Sequence, residues 1–205
     1  MTIASTVRGF IRYGGGLTGL PRVALDSMKP LDFHIFMIGK DAQSLPARIP
    51  EGAKMYGDAL ERLQEKRRAS DGLPNEFWRD KINGASRCAL LEVNEELASI
   101  IWVYESPAKR PHLVLGSTDA EFSATYTLAQ FRGRGFHRAL LAFATVWQLR
   151  ERSRIFMVAA SDNPAPLKVI PEAGFKEIAV IRRCSLYGPK FIAAEMRVRP
   201  IFEPS

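Results

Sequence analysis

Gln130-Phe131-Arg132-Gly133-Arg134-Gly135 is a six-residue stretch whose residue types and spacing suit the binding of a polyanion. It falls between a strand-like run, Glu121 to Leu128, and a long helical run that starts near Phe136. At such a junction the backbone N–H groups of about residues 132 to 137 lack intrahelical partners, and with the helix dipole they favour an anion. The two glycines let that backbone approach a ligand closely. The chemistry implied is a pyrophosphate cradle.

Two familiar phosphate-binding patterns do not fit. A nucleoside-triphosphate loop ends in Gly-Lys-Ser/Thr, whereas Gly135 is followed by Phe136-His137. A dinucleotide fingerprint needs a small residue where Arg138 stands and an acid ending the next strand. The run Ile155 to Ala160 does not end in that acid.

The stretch does match Gln/Arg-x-x-Gly-x-Gly/Ala, the signature of the Gcn5-related N-acetyltransferases. Downstream, Ser161-Asp162-Asn163-Pro164, a short helical segment and Glu172-Ala173-Gly174-Phe175-Lys176 are similar to that family's second block. The chain resembles the family over roughly residues 85 to 198. The resemblance implies an α+β fold in layers: a mixed, mostly antiparallel sheet flanked by helices and splayed between its fourth and fifth strands. It further implies acetyl-CoA as acetyl donor in the cleft and transfer to a primary amine.

Carried onto this chain, the resemblance gives each segment a role. The backbone of Tyr126, Thr127 and Leu128 is expected along the pantetheine arm. Gln130, Arg132, Gly133, Arg134, Gly135, Phe136 and His137 are expected around the phosphates, and Asn163 either bonds the pantetheine or caps its helix. An amine is mostly protonated at pH 7, so a base or a water chain to one is required. Glu121 is the leading candidate, with Asp119 in the preceding loop as fallback; the other reading of Glu121 is a solvated or ion-paired carboxylate. The family's usual thiolate-protonating tyrosine, four residues before Gly174, is replaced by Ile170. Tyr187 is the candidate to take its place, with Cys184 and Ser161 behind it.

The elements that must position these residues are readable in part. Phe33 to Ile38 is a first strand, and Gly52 to Arg68 carries apolar residues at helical spacing. A short helix follows around Phe77 and Trp78, ending near Asn83-Gly84. Cys88 to Tyr104 is a β-hairpin turning at Asn94-Glu95-Glu96, and Leu113 to Leu115 extends the meander. In the strand Glu121 to Thr127, alternation puts Phe122, Ala124 and Tyr126 on one face and Glu121, Ser123, Thr125 and Thr127 on the other. Phe136 to Arg152 is an amphipathic helix, and Ile155 to Ala160 a strand buried on both faces. Pro171 is expected to end or kink the next helix early. Ile178 to Ile181 and Phe191 to Met196 form a final strand pair.

Composition agrees with a single domain over residues 31–205, preceded by a basic arm over residues 1–30. Of 205 residues, 46% are hydrophobic, enough for a substantial core. No apolar run reaches the ~18 residues of a membrane span. Cys88 and Cys184 have no metal or redox spacing, which suits reduced thiols and a cytoplasm-like compartment, and no metal site is expected. The net charge of +7 invites a nucleic-acid reading, but the basic residues lie in separate clusters without an RNA- or DNA-binding motif. Lys66 to Arg68 and Arg150 to Arg154 read as solvated helix faces.

The acceptor has no signature. A looser likeness to bacterial acetyltransferases that modify cell-surface sugars makes an amino sugar or nucleotide-linked amino sugar the first candidate. A protein or peptide N-acetyltransferase and a non-catalytic acyl-CoA-binding module of the same fold stand as alternatives, and a homodimer is left open.

Overall fold

The structure is a computed structural model that describes residues 30–42, 49–70, 72–108, 110–184 and 191–192. Its strands are β1 Pro30–Gly39, β2 Ala53–Tyr56, β3 Arg87–Val93, β4 Glu96–Glu105, β5 Leu113–Val114, β6 Asp119–Thr127, β7 Arg154–Ala160, β8 Lys176–Cys184 and β9 Phe191–Ile192. Its helices are α1 Leu60–Arg68, α2 Arg79–Asn83, α3 Phe136–Leu149 and α4 Pro164–Glu172, with 3₁₀ turns at Asn75–Trp78 and Ala129–Phe131.

Seven strands form one sheet in the order β2-β3-β4-β6-β7-β1-β8. Every neighbouring pair is antiparallel except β6 and β7, which are parallel and joined through α3. A parallel pair requires such a crossover because a tight turn cannot return the chain in the same direction. The β3–β4 hairpin closes through Asn94 and Glu95, both with positive φ (50° and 69°), as a two-residue turn matched to strand twist demands.

Three expectations are corrected. The helix expected from Gly52 begins only at Leu60, because Ala53–Tyr56 adds a strand to the open edge of β3. Met55 and Tyr56 pair with Leu91 and Leu90 there, and the pairing of backbone groups outweighs helical spacing in a segment that short. Leu113–Val114 does not extend the meander; it pairs in parallel with Phe191–Ile192 in a separate two-stranded sheet. Consequently β8 does not pair with Phe191–Ile192, and the remainder of that expected strand lies outside the described residues. Its partner is β1, which lies between β7 and β8 and pairs with both. The first strand therefore takes the place beside β8, next to the sheet edge, where the final segment of the chain was expected.

The sheet has two covered faces. On one, α3 and α4 pack over Phe36, Ile38, Ile101, Val103, Phe122, Ile155 and Met157. On the other, α1, the 3₁₀ turn and α2 cover Cys88, Leu90, Ile100, Trp102 and Tyr104, with Phe77 and Leu63 fully buried between. Further along that second face, Leu113 and Leu115 cover Ile35 and Phe156. A seam separates the helical cover from the Leu113–Leu115 cover.

Charges taken at first as solvated hold these layers together. Arg67 is buried against Trp78 and bonds Asp80 (2.7 and 3.0 Å), joining α1 to α2. Arg62 grips the buried Glu92 through both carboxylate oxygens at 2.6 and 2.7 Å. Arg152 pairs with Glu105 and Arg154 with Asp119, so neither belongs to a freely solvated face. Cys88 is buried, and burial pushes its thiol pKa up to about 12, which keeps it protonated.

Because Ile35 is fully buried on the one strand that bridges β7 and β8, Ile35→Ala is expected to lower stability by about 2–5 kcal/mol. Denaturant unfolding checks this; a change under about 0.5 kcal/mol would contradict the burial of β1 between β7 and β8.

Candidate functional site

The site begins where β6 and β7 part. They are in parallel register only from Asp119–Arg154 to Phe122–Met157, four rungs in all. Beyond Phe122, β6 continues along β4 with one extra residue between Tyr126 and Ser123, opposite Ile100 to Trp102. That bulge carries Ala124 at φ +48°, a conformation costly for a residue with a Cβ.

The bulge also corrects the expected alternation. Phe122 faces the α3 side, whereas Ala124 and Tyr126 join the opposite cluster with Phe77. An extra residue shifts every later side chain by one, so a simple period of two cannot hold across it.

The backbone of β6 sorts its residues toward one neighbour or the other. Leu128 donates its N–H to the Ala98 carbonyl (2.9 Å), and the Tyr126 carbonyl accepts from the Ser99 hydroxyl (2.8 Å). Since a strand's hydrogen-bonding groups alternate sides, the Thr127 N–H is turned toward the gap beside β7. Thr127 alone of the three residues expected along the pantetheine lines the adjoining cleft.

That cleft encloses about 200 Å³ between Thr127, Phe131 to Gly133, Gly135 to Arg138, and Val169 and Glu172 of α4. Gly135 is the N-cap of α3 at φ +79°, and no side chain caps this helix. The first intrahelical bond is Ala139 N–H to the Gly135 carbonyl, at 3.0 Å. The amides of Phe136, His137 and Arg138 thus remain for an anion. At Gly133 (φ +73°) and Gly135, an added Cβ would meet nothing within 4 Å. Both glycines line the cleft and border open space beside the free amides, so the residues present fit a pyrophosphate.

Around the cradle, Arg132 bonds the Thr127 carbonyl at 3.0 Å and lies 5.1 Å from the Tyr126 ring centre. Arg134 sits over Phe136 at 4.9 Å. Burial pushes the His137 pKa below its ordinary value, so the ring is neutral at pH 7. Gln130 is exposed on the 3₁₀ turn, outside the cleft lining. Asn163 is the N-cap of α4 but its side chain makes no cap bond, and it too is exposed outside the lining. Pro171 is accommodated in the last turn of α4, which ends one residue later, as its missing N–H requires. Ile170 is buried in the α3-side core. Tyr187 lies outside the described residues.

Glu121 and Asp119 occupy defined places below the split. Asp119 is not in a loop: it opens β6, fully buried, bonding Arg154 (2.9 and 3.0 Å) and the Gly116 N–H (2.8 Å). Glu121 is 3% exposed, and Arg110 holds both its oxygens at 2.6 and 2.7 Å. Arg110 also stacks on the Tyr104 ring at 3.7 Å. The sequence reading missed Arg110 entirely, because it stands in an irregular segment with no motif around it.

Tyr104 is buried, and burial raises its pKa; Arg110, a bond to Asn83 Oδ1 (3.0 Å) and Arg79 act against that rise. These groups lie in the seam on the second face, beside the last paired rung before the strands part.

No protein-family model and no curated protein matches this sequence. Solved structures do match the fold. An acetyltransferase of the GNAT family from Colwellia psychrerythraea aligns at a TM-score of 0.54 and 15% identity, over 82% of this chain and 61% of its own. A GCN5-related N-acetyltransferase-like protein from Streptococcus suis aligns at 0.53 and 14%, over 82% and 66%. A glucosamine N-acetyltransferase region of a fungal multi-domain β-N-acetylglucosaminidase aligns at 0.51 and 13%, over 80% and 22%. The fold is therefore that of the GCN5-related N-acetyltransferases, and the chain spans about three-fifths of the length of several structures it matches.

His137 supplies a pH test of the cradle. Its folded-state pKa is depressed, so the unfolded chain takes up the proton more readily, and the stability this contributes is present above about pH 6.5 and lost as pH falls. The melting temperature of the wild type is expected to drop more steeply between about pH 6.5 and 5 than that of His137→Asn. Parallel curves would show that the ring is not desolvated.

Proposed function

We propose that this protein is an acetyl-CoA-dependent N-acetyltransferase that acetylates a primary amine on a small molecule. The observation that supports it is the meeting of an uncapped α3 N-terminus, two positive-φ glycines and a strand edge freed by the parting of β6 and β7.

In this reading the amides of Phe136, His137 and Arg138 hold the pyrophosphate, with Arg132, Arg134 and Arg138 supplying positive charge nearby. Bound acetyl-CoA would supply the activated acetyl thioester. The Thr127 amide is the backbone group we assign to its carbonyl, where a fixed donor favours the developing negative charge. Glu121 is the carboxylate toward which a protonated amine is drawn. Because Arg110 occupies both oxygens, the proton leaves through water. With hydrophobic Ile170 in the core, protonation of the departing sulfur falls to another group, for which Tyr187 stands as the candidate.

An amino sugar or nucleotide-linked amino sugar is the acceptor class we favour, and one solved structure of this fold is described as a glucosamine N-acetyltransferase region. A non-catalytic acyl-CoA-binding module is the second reading, favoured by the saturated Glu121 and the buried Ile170. Binding without release of CoA thiol across a broad amine screen would select it.

Calorimetric titration with acetyl-CoA tests the cradle directly. Saturable binding is expected, weakened at least about tenfold in Gly135→Val, since both the strained φ and the side chain oppose the bound state. Equal affinity in that variant would refute the assignment. Once a turnover assay exists, Glu121→Gln is expected to lower kcat at pH 7 by about 10²-fold with acetyl-CoA affinity nearly unchanged. Full activity across the pH range would rule Glu121 out.

A further inference from the structure

Arg79 and the Arg110–Glu121 pair both lie near the Tyr104 side chain, between α2 and the β4–β6 rungs. Arg110 is committed to Glu121 through two bonds and to the Tyr104 ring. Arg79 is the second. It opens α2, and Asn83, four residues later and so on the same helical face, accepts the Tyr104 hydroxyl at 3.0 Å. Arg79 is half-buried, its Nε is buried without a hydrogen-bond partner, and it has no carboxylate partner among the described residues. Asp80, its neighbour in α2, is bound to Arg67 instead.

A buried guanidinium N–H without a partner is costly, and a surplus cation in a half-buried seam is costlier. A ligand oxyanion would satisfy both. The planar fork of a guanidinium matches a carboxylate or phosphate through two parallel bonds. Glu121 faces Tyr104 across β4 and stands one rung before the last that β6 and β7 share, so an anion held by Arg79 would be carried by the molecule that delivers the amine.

We infer that Arg79, with Asn83 and Tyr104 beside it, forms an oxyanion subsite for the acceptor, which is therefore an amine bearing a carboxylate or phosphate group. This rests on the acetyltransferase reading for the identity of the ligand as acceptor. The division of labour is simple. Arg79 takes the anionic group, Glu121 draws the ammonium, and Arg110 keeps the Glu121 carboxylate oriented between them.

The test uses matched probes. Thermal unfolding of the wild-type chain with added CoA is recorded against the common L-amino acids and their amides, and against O-phosphoethanolamine and ethanolamine. An acidic member is expected to raise the melting temperature where its neutral partner does not. A response confined to amino acids assigns a carboxylate, and one confined to O-phosphoethanolamine a phosphate. In Arg79→Gln the fitted Kd for the responding probe is expected to weaken about tenfold or more, and Arg79→Lys to recover part of that loss. Equal shifts from both members of every pair, no shift from any of them, or an unchanged Kd in Arg79→Gln would overturn the subsite. Calorimetry with acetyl-CoA on the same wild-type and Arg79→Gln samples separates the two claims. It is expected to give equal affinities, whereas absent binding in the wild type would sink the cofactor reading itself.

Discussion

β6 and β7 are neighbours in the sheet for four rungs and then separate, leaving backbone edges that no other strand among the described residues satisfies. Buried strand edges without partners are costly, so the fold can sustain this gap only where something else occupies or relieves it. The bulge at Ala124 turns β6 away from β7, and the crossover through α3 brings a helix N-terminus to the mouth of the same gap. Strand edge and helix end are both sets of unpaired backbone donors. In the proposed reading their convergence makes a site from main-chain atoms, with side chains needed mainly to stay out of the way, as at Gly133 and Gly135.

The layers around the gap divide the tasks. The face under α3 and α4 is a continuous apolar core that fixes the cradle. The opposite face is covered in two pieces, the α1–α2 unit and the Leu113–Leu115 segment, and the polar groups gather where those pieces meet. Arg67–Asp80 and Arg62–Glu92 secure the helical piece, so the seam has firm walls. In it, Arg110, Glu121 and Tyr104 form a buried polar unit whose members depend on one another: removing Arg110 would leave a buried carboxylate unpaired, a loss of about 3–5 kcal/mol.

The position of β1 has a related consequence. A strand from the start of the described chain completes the sheet beside β7, so the wall of the cleft that faces β6 is braced by residues remote in sequence. Ion pairs Asp32–Arg182 and His34–Glu177 accompany that bridging, but they are exposed or half-exposed and contribute little beside the burial of Ile35, Phe36 and Ile38.

Local patterns in the sequence were enough for the glycine-rich junction before α3, the β3–β4 hairpin, α3 and β7, because glycine placement, turn residues and apolar periodicity act over a few neighbouring residues. The same patterns carried the resemblance to an acetyltransferase fold. They did not reveal that Met55 and Tyr56 lie in a strand, that β1 sits between β7 and β8, or that Phe191–Ile192 pairs with Leu113–Val114. Each of those depends on which distant strand edge is open, and an edge is a property of the assembled sheet. The roles of charged residues divide in the same way. Glu121 could be read as base or as ion pair, and Arg67, Arg152 and Arg154 as solvated faces, since charge alone is silent about burial. Only the tertiary structure set Arg110 across Glu121 and left Arg79 without a carboxylate among the described residues, because a charged group's partner is whatever folding brings within about 3 Å.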